Sequence, residues 1–352
     1  MFSEILVVSF CSLFCLFLMR RVALVINLVD KPNARKLHSG AIPLVGGVSI
    51  CFAVVQFILF NPELFPHSSL FIVCISTLII LGVFDDKYDI SFKVRLLVQA
   101  ILSALMIYVP HIQLSNVGDI FGFGSIDLGV LSPLITVLAV IGAINAFNMM
   151  DGIDGLLGSQ AIITLSGVGL LAMQNNTAGL AYLSVAFIAA LLPYVLMNLG
   201  VFGIKRKVFM GDAGSMMIGF TVIWLLLETS QVTAEHSLRP ITALWLVALP
   251  LMDMVTVMCK RVLRGDSPFK PDREHLHHIL QRIGLSSRQT LIVISLLATS
   301  FVGFGVFGEF TSMPEPVMFA AFLVCFVLYK AVTDYISKAS TETSYSHQLD
   351  MQ

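Results

Sequence analysis

The chain has 352 residues and a formal net charge of −1, with 57% hydrophobic residues, 12% charged residues and a mean hydropathy of +0.89. Soluble domains carry about 25% charged residues, so a water-soluble fold is excluded and the composition is that of an all-α polytopic membrane protein. The six cysteines lie in or beside apolar stretches with no Cys-x-x-Cys pair, which argues for buried thiols and against a disulfide framework or a thiolate metal site.

A membrane crossing needs about 20 mostly apolar residues. Eleven stretches are candidates, at 2–19, 44–60, 69–84, 96–109, 133–147, 156–173, 178–199, 213–227, 241–259, 289–307 and 317–335. The first has no basic segment before it and no small-residue cleavage site behind it, so it reads as a span and not as a signal peptide. With the N-terminus outside, every Lys and Arg except Arg239 falls on the inner side. These are Arg20, Arg21, Lys31, Arg35 and Lys36, then Lys87, Lys93 and Arg95, then Lys205, Arg206 and Lys207, then the bases of the long loop, and Lys330 and Lys338 near the end. One missed span would invert every later loop and destroy this pattern, so positive-inside bias predicts a periplasmic N-terminus and a cytoplasmic C-terminus.

The expected organisation is one integral membrane domain over 1–336 and a polar tail over 337–352. Inner loops at 20–43, 85–95, 148–155, 200–212 and 260–288 carry the chemistry. The outer segment 115–131 contains Gly118, Gly122, Gly124 and Gly129 and reads as a small hairpin. No internal repeat or heptad pattern is present.

Asp85 and Asp86 close the third span, Asp151 and Asp154 follow the fifth, Asp212 precedes the eighth, and Arg273, His275, His277 and His278 lie in the long loop. All fall on the inner face, and carboxylates beside hydrocarbon are expensive enough to suggest a site. Gly152 and Gly155 favour a tight turn that lets a ligand approach the backbone around Asp151 and Asp154. Asn145 and Asn148 lie upstream and can face the same place, with helix capping as the plain alternative. Asp212 reads either as the N-cap of the eighth span or as a Mg²⁺ ligand, at a helix start whose glycines Gly211 and Gly214 suit phosphate. The histidines read as anion-binding with Arg273, as solvated loop residues, or as zinc ligands at an unfavourable spacing. Asp253 either pairs with a base or borders the site. Acids and bases together fit metal-bridged pyrophosphate chemistry.

Five motifs occur in order: Arg35-Lys-Leu-His38 before Pro43-Leu-Val-Gly-Gly47, Asp85-Asp86-Lys-Tyr-Asp89, Asn145-Ala-Phe-Asn148-Met-Met-Asp151-Gly-Ile-Asp154-Gly, Val208-Phe-Met-Gly-Asp212-Ala-Gly-Ser215, and His275-Leu-His277-His278. With them the chain resembles the polyprenyl-phosphate N-acetylhexosamine-1-phosphate transferases, glycosyltransferase family 4, from Asp30 to Arg288. Asp89 and the His-x-His-His run set it apart from the muramoyl-pentapeptide branch, which has Lys and three consecutive His there. They favour the branch that starts O-antigen and enterobacterial common antigen synthesis, with the teichoic-acid branch remaining as an alternative.

The resemblance implies transfer of N-acetylglucosamine-1-phosphate from UDP-N-acetylglucosamine to undecaprenyl phosphate at the bacterial inner membrane, on its cytoplasmic face. It implies Mg²⁺, replaceable by Mn²⁺, on Asp212 and Asn148. Asp85 and Asp86 would deprotonate or position the lipid phosphate, and Asp151 and Asp154 would shape the nucleotide-sugar pocket. Arg273, His275, His277, His278 and Asn198 would hold the donor, while Lys93, Arg95, Lys36 and His38 would hold the acceptor phosphate. A phosphate monoester is mostly dianionic at pH 7, so positioning should outweigh deprotonation. Membrane lipid is a further partner, a homodimer is left open, and nucleic acid is not expected. Two other classes compete. An ion-coupled transporter would place its acids near the bilayer midplane between inverted repeats. A lipid-carrier-binding protein would need the bases but have little use for the carboxylates.

Overall fold

The structure is a computed structural model that describes residues 2–31, 40–65, 67–232, 238–268 and 272–349, the side chains of 2 and 338–349 excepted. Among these residues thirteen α-helices follow one another: α1 (Phe2–Ile26), α2 (Gly46–Phe60), α3 (Ser68–Tyr88), α4 (Phe92–Tyr108), α5 (Ser132–Met149), α6 (Leu156–Gln174), α7 (Ala178–Asn198), α8 (Gly211–Leu227), α9 (Pro240–Leu246), α10 (Ala248–Leu263), α11 (Leu276–Arg282), α12 (Ser287–Phe310) and α13 (Glu315–Leu349). Each of the eleven apolar stretches falls on helix, and the ninth is divided between α9 and α10. Among the described residues, eight helices are long and apolar enough to cross a membrane. Helices α9 and α10, bent by 77° at their junction, would make a ninth crossing if counted as one. Pro250 explains the break: it has no N–H to continue the α9 ladder, so the chain turns at Val247 and restarts. The remaining two stretches lie on α2, of 15 residues, and α4, of 17. Helix α1 runs past its expected end and takes Arg20 and Arg21 with it, while α13 continues through the expected polar tail to Leu349.

Helix α8 is the axis. Its apolar window is 94% buried, against 22% for α1, α12 and α13, and it packs on α2, α3, α5 and α6. A helix that is hydrophobic all round belongs in such a centre. Small residues let its neighbours come close. A Cβ on Gly47 of α2 would lie 2.3 Å from the Gly214 Cα, and one on Gly82 of α3 would lie 2.1 Å from the Ala213 Cα. Backbone packing of this kind is how membrane helices associate tightly. The segment before α8 is also stitched to the segment before α2, because Phe209 N–H donates to Pro43 O at 2.9 Å and Gly46 N–H to Phe209 O at 2.9 Å. Between α1 and α2, strands β1 (Val29–Asp30) and β2 (Ile42–Pro43) pair antiparallel.

Two apolar clusters follow from this packing. One fills α1 to α8 and includes a group of aromatic rings, Phe71, Phe220 and Trp224. The other joins α9, α10, α12 and α13 around Trp245, which packs against Phe301, Phe304 and Phe322. At the end of the bundle away from Asp212, residues 115–128 form the expected hairpin, with Val117 N–H donating to Ile126 O at 3.1 Å.

Candidate active site

The close approach of Gly82 to Ala213 fixes the chemistry near it. One turn beyond Gly82, Asp85 and Asp86 arrive beside the first residues of α8. Asp86 Oδ1 accepts the Asp212 N–H at 2.9 Å and Oδ2 receives a long contact from Ala213 N–H at 3.5 Å. The carboxylate thus covers the positive end of the α8 dipole. Gly211 makes room for it: φ is +75°, and a Cβ there would sit 2.4 Å from Asp86 Oδ2. Two expectations are corrected here. Asp212 is not the N-cap of α8, and the start of that helix is not an open phosphate seat, because another part of the chain already fills it.

With its backbone held by Asp86, Asp212 has its side chain placed by α5. Asn148 Nδ2 donates to Asp212 Oδ1 at 2.7 Å and to Ser215 Oγ at 2.8 Å. The Asp212 side chain remains 38% exposed. Asp85, only 3% exposed, accepts Ile90 N–H at 2.8 Å and Arg95 Nη1–H at 2.7 Å. The same Arg95 nitrogen lies 3.8 Å from Asp212 Oδ2, so one guanidinium partly balances two acids.

The turn between α5 and α6 brings the next pair. Asp151 is exposed, and Asp154 pairs with Lys207 from the segment leading to α8. Asn198, expected on the donor, lines the main cavity and also acts as a brace: its Oδ1 accepts Gly155 N–H at 2.5 Å and its Nδ2 donates to Val208 O at 2.9 Å. Asp85, Asp86, Asp151, Asp154 and Asp212 all line one cavity of about 1820 Å³, with Lys205, Lys207, Arg273 and Arg282 among its other walls. The acids therefore sit at one end of the bundle, which disfavours the midplane transporter arrangement.

The histidine run straddles this cavity and a smaller neighbour of about 450 Å³. His278 lines both, whereas His275, His277 and Arg95 line the smaller one. Burial pushes the His277 imidazole down to about 3, helped by the nearby His278, and pushes His278 down to about 4. Both are neutral at pH 7, so the positive charge facing an anion there comes from Arg273 and Arg282. The Arg273 carbonyl accepts from Arg282 Nη2 at 2.9 Å. His277 is buried with neither ring nitrogen hydrogen-bonded, its Nε2 against Gly152.

Not every expected residue arrives. Lys93 is exposed and lines neither cavity. Lys36 and His38 lie outside the described residues. Among those described, no group of three or more His, Cys, Asp or Glu is suited to hold a metal, which removes support for zinc. Sequence reasoning missed three contributors. Lys205 and Lys207 were visible only as inner charges, and Arg282 follows His278 by four residues, one turn of α11, a spacing that puts them on one face.

A helical membrane bundle with an acid-and-base cavity at one end is the frame of a polytopic membrane transferase. Residues 68–230 match glycosyl transferase family 4. Proteins named undecaprenyl-phosphate alpha-N-acetylglucosaminyl 1-phosphate transferase match nearly the whole chain. The one from Salmonella typhi is 46% identical over 328 residues, covering 93% of this chain and 89% of the relative. That of Escherichia coli K12 is 46% identical over 91% of this chain and 87% of its own, and that of Pasteurella multocida is 47% identical over 92% and 91%. The chain belongs to glycosyl transferase family 4.

Proposed function

We propose that the protein transfers N-acetylglucosamine-1-phosphate from UDP-N-acetylglucosamine to undecaprenyl phosphate, the activity named for its relatives. A lipid phosphate oxygen attacks the phosphorus that bears the sugar, the bond between the two donor phosphates breaks, and UMP leaves with the bridging oxygen. The product is a lipid-linked diphosphate sugar, the starting unit for O-antigen or enterobacterial common antigen. The observation that carries the reading is the convergence of Asp85, Asp86, Asp151, Asp154 and Asp212 with Lys and Arg side chains on one cavity.

Each side chain has a task under this reading. Arg95 and Asp85 set the charge where the acceptor phosphate approaches, and Asp86 holds the head of α8. Lys207 and Asp154 shape the nucleotide end, and Arg273 and Arg282 face the donor phosphates. Neutral His278 offers a hydrogen bond without charge. The donor set also fits Mg²⁺ or Mn²⁺: Asp212 presents a carboxylate to the cavity, and Asn148 uses its nitrogen for hydrogen bonds, which leaves its carbonyl oxygen. Two hard oxygens suit a cation that takes its other ligands from water and phosphates. Bound there, it would neutralise the charge that builds up on the departing phosphate.

The eleven helical stretches and the inner placement of all bases but Arg239 support eleven crossings of the bacterial inner membrane, N-terminus out and C-terminus in, with the cavity open to the cytoplasm. A donor from water and an acceptor confined to the bilayer can meet only at such a boundary. The test is purified protein with undecaprenyl phosphate, radiolabelled UDP-N-acetylglucosamine and Mg²⁺. Label should enter the lipid phase, EDTA should stop it, and added Mg²⁺ should restore it. Label from UDP-N-acetylgalactosamine or the muramoyl-pentapeptide donor in its place would overturn the donor assignment, and indifference to EDTA would overturn the metal.

A further inference from the structure

Asp253 lies on α10, away from the acidic cavity, and is buried. Its carboxylate gathers three donors from two other parts of the chain. Oδ2 lies 2.7 Å from His275 Nδ1. Oδ1 accepts the Leu276 N–H at 2.9 Å and the Tyr329 hydroxyl at 2.8 Å. Leu276 is the first residue of α11, so the carboxylate also sits at the start of the helix that carries His277 and His278. Tyr329 comes from α13, which is tied to α10 again near its inner end by Lys260 and Asp334, 2.6 Å apart.

A buried carboxylate is costly unless each oxygen is satisfied, and a packed apolar residue at 253 would join the same helices without that cost. The carboxylate can do what such a residue cannot. Facing Nδ1, it requires the proton there, which fixes the ring orientation and leaves Nε2 as the nitrogen available to the smaller cavity that His275 lines beside Asn148 and Asp151.

We infer that Asp253, supported by Tyr329, is a positioning residue for sugar-phosphate transfer: it orients His275 and anchors the start of α11, and so brings the histidine run to the cavity. The inference rests on the proposed transfer reaction. It makes the last membrane helix part of the active-site support.

The test compares wild-type protein with Asp253→Asn, Tyr329→Phe, His275→Gln and the Asp253→Asn/His275→Gln double variant, all checked for unchanged elution in detergent. Asp253→Asn should lower kcat by about 10- to 100-fold, the usual cost of losing an outer partner that orients a functional imidazole. Tyr329→Phe removes one of three donors and should cost about 2- to 10-fold. In the His275→Gln background, Asp253→Asn should cost less than about twofold more, because both changes remove one arrangement. Full multiplication of the two losses would mean that Asp253 acts elsewhere and would overturn the inference.

A second readout needs no substrate. Amide hydrogen exchange over 276–282 should rise in Asp253→Asn while α7 stays as protected as in the wild type. An unchanged or uniform rise would overturn the positioning role. If wild-type protein moves no label, the proposed reaction fails, and the exchange pattern still decides the structural anchor.

Discussion

The two walls of the cavity are built on opposite plans. On the α8 side, helix ends meet backbone to backbone: Gly82 lies on Ala213, Gly47 on Gly214, and Asp86 caps the helix that carries Asp212. On the α10–α13 side, the histidine run follows a long loop and is held largely through side chains, with one buried carboxylate at the centre. The first wall is preorganised by close packing, which has few alternatives. The second depends on a small polar network, which is lost as a unit when one member goes. Groups that meet the transferred phosphate need the first kind of support, while a wall that admits a large nucleotide-sugar can use the second.

The contrast breaks most severely at Asp212. Asp212→Asn should lower sugar-phosphate transfer by about 10²- to 10³-fold, as loss of a principal electrostatic stabiliser does, while the protein still inserts and elutes normally. Near-normal turnover would remove Asp212 from the centre of the first wall.

Gly82 tests the packing itself. A Cβ at 82 would meet α8 backbone and not a movable side-chain tip, so Gly82→Ala should destabilise the protein by about 1–3 kcal/mol and lower activity with it, read as a fall in the thermal midpoint in detergent. A midpoint equal to wild type would show that the helices can part without cost.

A smaller effect is expected where the walls meet the nucleotide. Lys207→Met should raise the donor KM by about tenfold with kcat changed less, the pattern of lost ground-state binding. An equal fall in kcat alone would place Lys207 in the chemical step instead.

The last effect is in pH and leaves turnover at neutral pH untouched. Because burial holds the folded His277 down to about 3 from 6.5, the unfolded chain takes up a proton first as the pH falls. Stability from this residue is complete above pH 6.5 and is lost progressively toward pH 3. Thermal midpoints should therefore fall more steeply between pH 6.5 and 4 in wild type than in His277→Phe, and equal slopes would show that His277 is hydrated.

Much of this was legible before any coordinates. Apolar runs of about 20 residues are a local signal, and the bias of Lys and Arg reports which runs belong together. The acidic clusters could be placed on one face because each abuts a span. What could not be read depends on contacts across the chain. Nothing local says that Asp86 would cap a helix beginning at residue 211, that Asn198 would brace two backbone segments at the cavity wall, or that Lys207 would reach Asp154. The undecided choice at Asp253 resolves only when the long loop brings His275 against it, with Tyr329 added from α13. The α9–α10 bend had a visible cause in Pro250, but a proline in an apolar run does not state the angle.

The carboxylate over the first turn of α8 has a practical consequence for ligand design. A tethered carboxyl group already occupies the spot that a free phosphate or sulfonate mimic would seek, and no dissociation step clears it. Inhibitors that carry their negative charge to that turn would meet a full seat, because its N–H groups already have acceptors. Compounds that offer the cavity a neutral chelating edge toward Asp212, or a cation toward Asp151, would have the favourable field.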